Sequence, residues 1–124
     1  MEEEAPVEDI PAGAKVLSFP DLKANVLPEE GAAPAIVIFS VVLVCNEEVF
    51  KMFEEGKEYK DLFTAEITER MRGRTRVELE NAQVQESILK QVQQRTNQLV
   101  RQLEPKKECE IFKAKFKELV IAET

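Results

Sequence analysis

Ala35-Ile36-Val37-Ile38-Phe39-Ser40-Val41-Val42-Leu43-Val44-Cys45 decides the fold. The run is almost entirely apolar and rich in β-branched residues, which pack well on a pleated surface. Pro34 and Asn46 bound it. A strand with one wet face alternates apolar with polar residues, whereas this one is apolar on both faces and calls for cover on both. The rest of the chain offers two helices, enough for one face of a small sheet. The other face needs edge segments of the same chain, a neighbouring subunit or a membrane, which points to a protein that assembles.

Working outward, residues 15–27 are moderately apolar and contain Pro20, which cannot donate to a sheet ladder; they predict a first strand, irregular around Phe19-Pro20-Asp21. Pro28-Glu29-Glu30-Gly31 is turn chemistry and predicts a hairpin into the 35–45 strand. On the far side Asn46 offers a helix N-cap, with Glu47 and Glu48 placed to complement the dipole. Val49, Phe50, Phe53, Tyr59, Leu62, Phe63, Ile67 and Met71 recur at helical spacing. They predict a helix over about 47–72, interrupted near Gly56 and stopped by Gly73. Thr75-Arg76-Val77-Glu78 matches a capping box and opens a second helix. In it Val84, Ile88, Val92, Leu99 and Leu103 share a face, while a glutamine-rich remainder is expected to face solvent; Pro105 and Lys106-Lys107 end it. Phe112, Ala114 and Phe116 then alternate with Lys113, Lys115 and Lys117 before the apolar Leu119-Val120-Ile121-Ala122, which predicts a last strand.

The expected fold class is therefore α+β: a small β-β-α-α-β domain over 15–124, with two helices packed on one face of the sheet. Residues 1–14, with Glu2, Glu3, Glu4, Glu8, Asp9, Pro6 and Pro11, read as an acidic disordered linker. The up-and-down path places Cys45 and Cys109 at the same end of the sheet, and two free thiols are expected there.

Composition narrows the function. With 17 Lys and Arg against 24 Asp and Glu, the net charge is -7, so the overall field does not draw the chain to nucleic acid or anionic lipid. There is no His, which removes the commonest general base and the commonest transition-metal ligand together. Two distant cysteines make no zinc-ligand pair, and four scattered glycines make no phosphate-cradling loop. No converging acid, base and nucleophile can be assembled, so no catalytic residue, cofactor site or metal site is assigned and no enzyme is expected. The apolar run from Ala32 to Cys45 is shorter than the roughly 20 residues a membrane helix needs. The charged features left as candidate oligomer or partner contacts are Arg70, Arg72, Arg74 and Arg76, and Lys113, Lys115 and Lys117. Each has a plainer use: cations suit a helix C-terminus, and lysines on a strand discourage unwanted edge pairing.

The order of these elements resembles the periplasmic domain of the FliL family, the flagellar basal-body-associated proteins. The resemblance rests on Asn25-Val26-Leu27, the 35–45 run, the turn Arg74-Thr75-Arg76-Val77-Glu78-Leu79, Thr96-Asn97-Gln98-Leu99 and Phe116-Lys117-Glu118-Leu119-Val120-Ile121, and it spans about residues 15–122. Arg74 and Val77 stand where the family usually has lysine and glutamate. The resemblance implies a stomatin-like fold and a structural role without turnover or cofactor. It also implies self-association into an arc or ring around the stator units of the flagellar motor, supporting torque under load. Family members carry a transmembrane helix before the linker, so the implied location is the periplasmic side of the inner membrane at the basal body, with membrane contact only through an anchor this chain lacks. A small acidic secretion chaperone or adaptor is the alternative, since an exposed apolar sheet would also hold an unfolded partner.

Overall fold

The structure is a computed structural model that describes residues 11–124. The first ten residues, and with them most of the stretch expected to be a linker, lie outside the described residues. The elements in chain order are β1 (Lys15–Asn25), β2 (Ala35–Cys45), α1 (Glu47–Glu55), α2 (Lys57–Met71), α3 (Arg76–Glu80), α4 (Ala82–Leu103) and β3 (Ile111–Glu123). The three strands form one antiparallel sheet in the order β1-β2-β3, so the apolar run is the central strand. The α+β class, with helices on one face of an antiparallel sheet, is as expected.

The register sorts the sheet into two unlike faces. On one, the rows Leu17–Leu43–Ala114, Phe19–Val41–Phe116, Leu22–Phe39–Leu119 and Ala24–Val37–Ile121 point at the helices. Val37, Phe39 and Leu43 are fully buried there, against Phe63 and Ile67 of α2 and Ile88, Val92 and Val100 of α4. Edge-to-face aromatic contacts stitch β1 to the first two helices: the Phe53 and Phe63 ring centroids are 4.7 Å apart, and those of Phe19 and Phe53 6.0 Å. Pro20 and Asp21 form a bulge in β1, as the proline suggested, and Asp21 takes a left-handed φ of 57° that Asp tolerates better than most residues.

The helices are more divided than the periodicity implies. The first breaks at Gly56, as the sequence suggested; an added Cβ there would meet the Tyr59 ring at 2.9 Å. The second begins at the predicted capping box: Glu78 N–H donates to Thr75 Oγ1 at 3.2 Å and Thr75 N–H to Glu78 Oε1 at 2.9 Å. It then stops after one turn. Asn81 leaves the helical conformation and its side-chain oxygen accepts from Gln83 and Val84 N–H, restarting the chain as α4. The expected β-β-α-α-β order is thus β-β-α-α-α-α-β. The first interruption is the glycine and the second is the Asn81 cap.

Gln83, Gln94, Gln98 and Gln102 face solvent as expected, but the rest of the glutamine-rich face departs from expectation. Gln93 donates its side-chain N–H to Ile111 C=O at 2.6 Å, while Asn97 accepts from Ile111 N–H at 2.9 Å. Gln85 donates to Leu79 C=O and Arg74 to Gln91. Instead of simply facing water, α4 uses its amides to hold both backbone groups of Ile111 and so fixes where β3 begins.

Candidate interaction surfaces

The second face of the sheet carries the rows Val16–Val44–Lys113, Ser18–Val42–Lys115, Lys23–Ile38–Val120 and Asn25–Ile36–Ala122. Its middle column, Ile36, Ile38, Val42 and Val44, is only half-buried, and Val16 and Val120 on the outer strands are 52% and 49% exposed. No helix among the described residues lies over it. Halfway along, β3 bulges at Lys117 opposite Ser40, and Asp21 N–H in the β1 bulge donates to Ser40 Oγ at 3.2 Å. The two bulges frame a shallow notch of about 360 Å³ around Ser40, lined by Ser18, Pro20, Asp21, Lys117 and Glu118. The open face is therefore two apolar patches separated by a polar waist.

Of the lysines singled out from the sequence, Lys113 and Lys115 share this face beside Val44 and Val42, and Lys117 stands in the bulge at the notch. The arginines do not join them. Arg76 pairs with Glu123 at 3.8 Å, at the end of the sheet where Ala35 meets Glu123. Lys113 lies at the opposite end, next to the row of Cys45.

Nor do the four arginines form one cluster. Arg70, Arg72 and Arg74 surround a shallow basin of about 340 Å³ at the turn after α2, together with Glu69, Glu78 and Gln91, while Arg76 borders a different depression beside the β1–β2 loop. Each guanidinium has a carboxylate of its own chain: Arg70 with Glu66 at 3.5 Å, Arg72 with Glu69 at 2.8 Å, Arg74 with Glu78 at 3.9 Å. Arg74 also donates to Arg70 C=O at 3.2 Å, and its own carbonyl accepts from Leu27 N–H at 2.8 Å. The Thr75 N–H and hydroxyl hold the Glu78 carboxyl below the usual carboxylate range, helped by Arg74. These residues act as a buttress that ties the α2–α3 turn to the β1–β2 loop. Their charges are largely spent inside the chain.

Cys45 and Cys109 do lie at one end of the sheet, and both thiols are free and buried. Cys109 Sγ is 3.5 Å from Met52 Sδ. Burial, and then the neighbouring Cys109, push the Cys45 thiol up to about 11, so it is neutral and a poor nucleophile at ordinary pH. Between them Asn46 is the least conspicuous and most connected residue at this end. Its Oδ1 caps Val49 N–H at 3.2 Å and accepts from Glu110 N–H at 3.3 Å, while its Nδ2 donates to Glu108 C=O. The N-cap was legible from the sequence; the clasp onto the segment leading into β3 was not, because nothing in the sequence around Asn46 names a partner so distant along the chain.

No group of three or more His, Cys, Asp or Glu side chains able to hold a metal occurs among the described residues. No helix among them is long and apolar enough to cross a membrane. Compared with models of known protein families and with curated protein sequences, the chain matches none.

Proposed function

We propose that this chain is a non-enzymatic structural component that works by self-association, of the kind the FliL-like order of elements suggests: a periplasmic module of the flagellar basal body that assembles around stator units and supports torque under load. The observation that carries this reading is the open face of the sheet. Its central strand is as apolar on the uncovered side as on the covered one, in a domain whose helices are all committed to the other side. Exposed apolar patches of this kind, edged by polar groups, mark an interaction site. The chemistry fits a scaffold: the carboxylates and guanidiniums that could converge are paired with each other, and both thiols are buried.

Two measurements test it. Sedimentation of the purified chain should show mass rising with concentration, and immobilised chain should retain the periplasmic part of a flagellar stator protein. Deleting the gene from its host should reduce swimming most under viscous load while leaving filaments in place. A chain that binds unfolded polypeptides and no stator protein, with motility unchanged, would be a secretion chaperone or adaptor instead.

A further inference from the structure

We infer that the open face of one copy receives the outer ridge of α2 from the next, so that copies join head to tail. This rests on the self-association proposed above and specifies its geometry. Glu58, Asp61, Leu62, Ala65 and Glu69 fall at helical spacing on one side of α2, and all are exposed; Leu62 is 45% exposed, one of the most exposed large apolar residues of the domain. The opposite side of the same helix, Phe63, Ile67 and Met71, is fully buried against the chain's own core. The ridge thus presents an apolar centre. Glu69 is paired with Arg72 at 2.8 Å, so the acidic charge beside this centre comes from Glu58 and Asp61. The open face presents the complement, an apolar column with Lys23, Lys113 and Lys115 along its sides and Lys117, Asp21 and Glu118 at the notch.

Helix on sheet is also the packing this domain already uses on its covered face, so a second helix layer would complete the sheet in the ordinary way. Two copies meeting open face to open face would instead bring together surfaces that each carry three lysines against one glutamate on the sheet rows. Opposite charges favour the ridge, and like charges disfavour the symmetric pair. A sheet-to-ridge contact is heterologous: each copy keeps one free sheet and one free ridge, so it propagates into an arc, or closes as a ring where the rotation allows.

Charge reversal tests the pairing. Lys113→Glu with Lys115→Glu reverses the sheet, and Glu58→Lys with Asp61→Lys reverses the ridge; all four side chains are at least partly exposed, and thermal unfolding of each variant checks that it still folds. Sedimentation should show each variant alone associating at least about tenfold more weakly than the parent, given the cost of like-charge juxtaposition. A one-to-one mixture of the two variants should regain parental association, because every contact then joins opposite charges, and so should one chain carrying all four substitutions. A ridge variant that associates as the parent does, or a mixture that stays dissociated, overturns the sheet-to-ridge contact while leaving self-association standing. A parent chain that never associates overturns both.

Discussion

The two faces of the sheet are built from the same strand and meet opposite fates. Val37, Phe39, Val41 and Leu43 lie on the helix side and are buried; Ile36, Ile38, Val42 and Val44, equally apolar, lie on the open side and stay partly exposed. Composition does not distinguish the two sides of β2. Their neighbours on β1 and β3 do. Toward the helices β2 is flanked by Phe19, Leu22, Phe116 and Leu119, toward the open side by Ser18, Lys23, Lys113 and Lys115. The central strand therefore sets how much apolar surface exists, and the edge strands set which side the chain itself covers. An uncovered side rimmed with lysine can stay in water at low concentration and still accept an apolar partner with acidic edges.

The sharpest way to break this contrast is to truncate one residue from each side of β2. Phe39→Ala should cost about 3–5 kcal/mol, since its ring is wholly buried and packs edge-to-face on Phe116. Val42→Ala, half-exposed on the open side, should cost under about 1 kcal/mol in dilute solution. Denaturant unfolding at micromolar concentration measures both. Equal costs would mean that the open face is packed within the single chain.

That a central strand apolar on both faces must leave one side short of cover was legible from residues 35–45 alone. So were the bulge at Pro20, the Thr75 capping box and the joint placement of the two cysteines. The split between α3 and α4 is missing from the predicted order, although the five-residue step from Leu79 to Val84 departs from helical spacing and Asn81 between them is a good N-cap residue. The roles of Gln93 and Asn97 were hidden. An uncharged amide on a helix looks the same whether it meets water or a distant strand, and only the path of β3 tells which. The separate placement of the arginines was not legible either: the turn at Gly73 and the Thr75 cap send Arg76 away from Arg70, Arg72 and Arg74.

A second experiment probes what keeps the covered side closed at the cysteine end. Asn46→Ala removes the α1 cap and both side-chain bonds to the segment leading into β3, and should cost about 2 kcal/mol, the upper part of the range for a cap, because the bonds to Glu108 and Glu110 are lost as well. Hydrogen exchange should then quicken at Glu110 and Val49 while the far end of the sheet, near Ala35, stays protected. Uniform loss of protection would show that Asn46 has no local role.

A smaller effect comes from pH. The Cys45 thiol is raised from 9.0 to about 11 in the folded chain, so the unfolded chain ionises first as the solution turns alkaline. Stability from this group is fully present below pH 9 and is lost as the pH rises towards about 11, with a slope approaching 1.4 kcal/mol per pH unit. Unfolding midpoints of the parent and of Cys45→Ala, followed through that window, isolate it. Parallel curves would mean that Cys45 is open to solvent.

The most direct measurement asks which side of β2 feels a second molecule. Methyl NMR spectra of the chain should be compared between dilute and concentrated samples, with sedimentation run on the same solutions. As the mass rises, the methyl signals of Ile36, Ile38, Val42, Val44 and Val120 should shift or broaden together with that of Leu62, while those of Val37 and Leu43 hold still. Open-face signals that stay unchanged while the mass rises, or a mass that never rises at all, would contradict the assignment of this face as the surface through which the protein works.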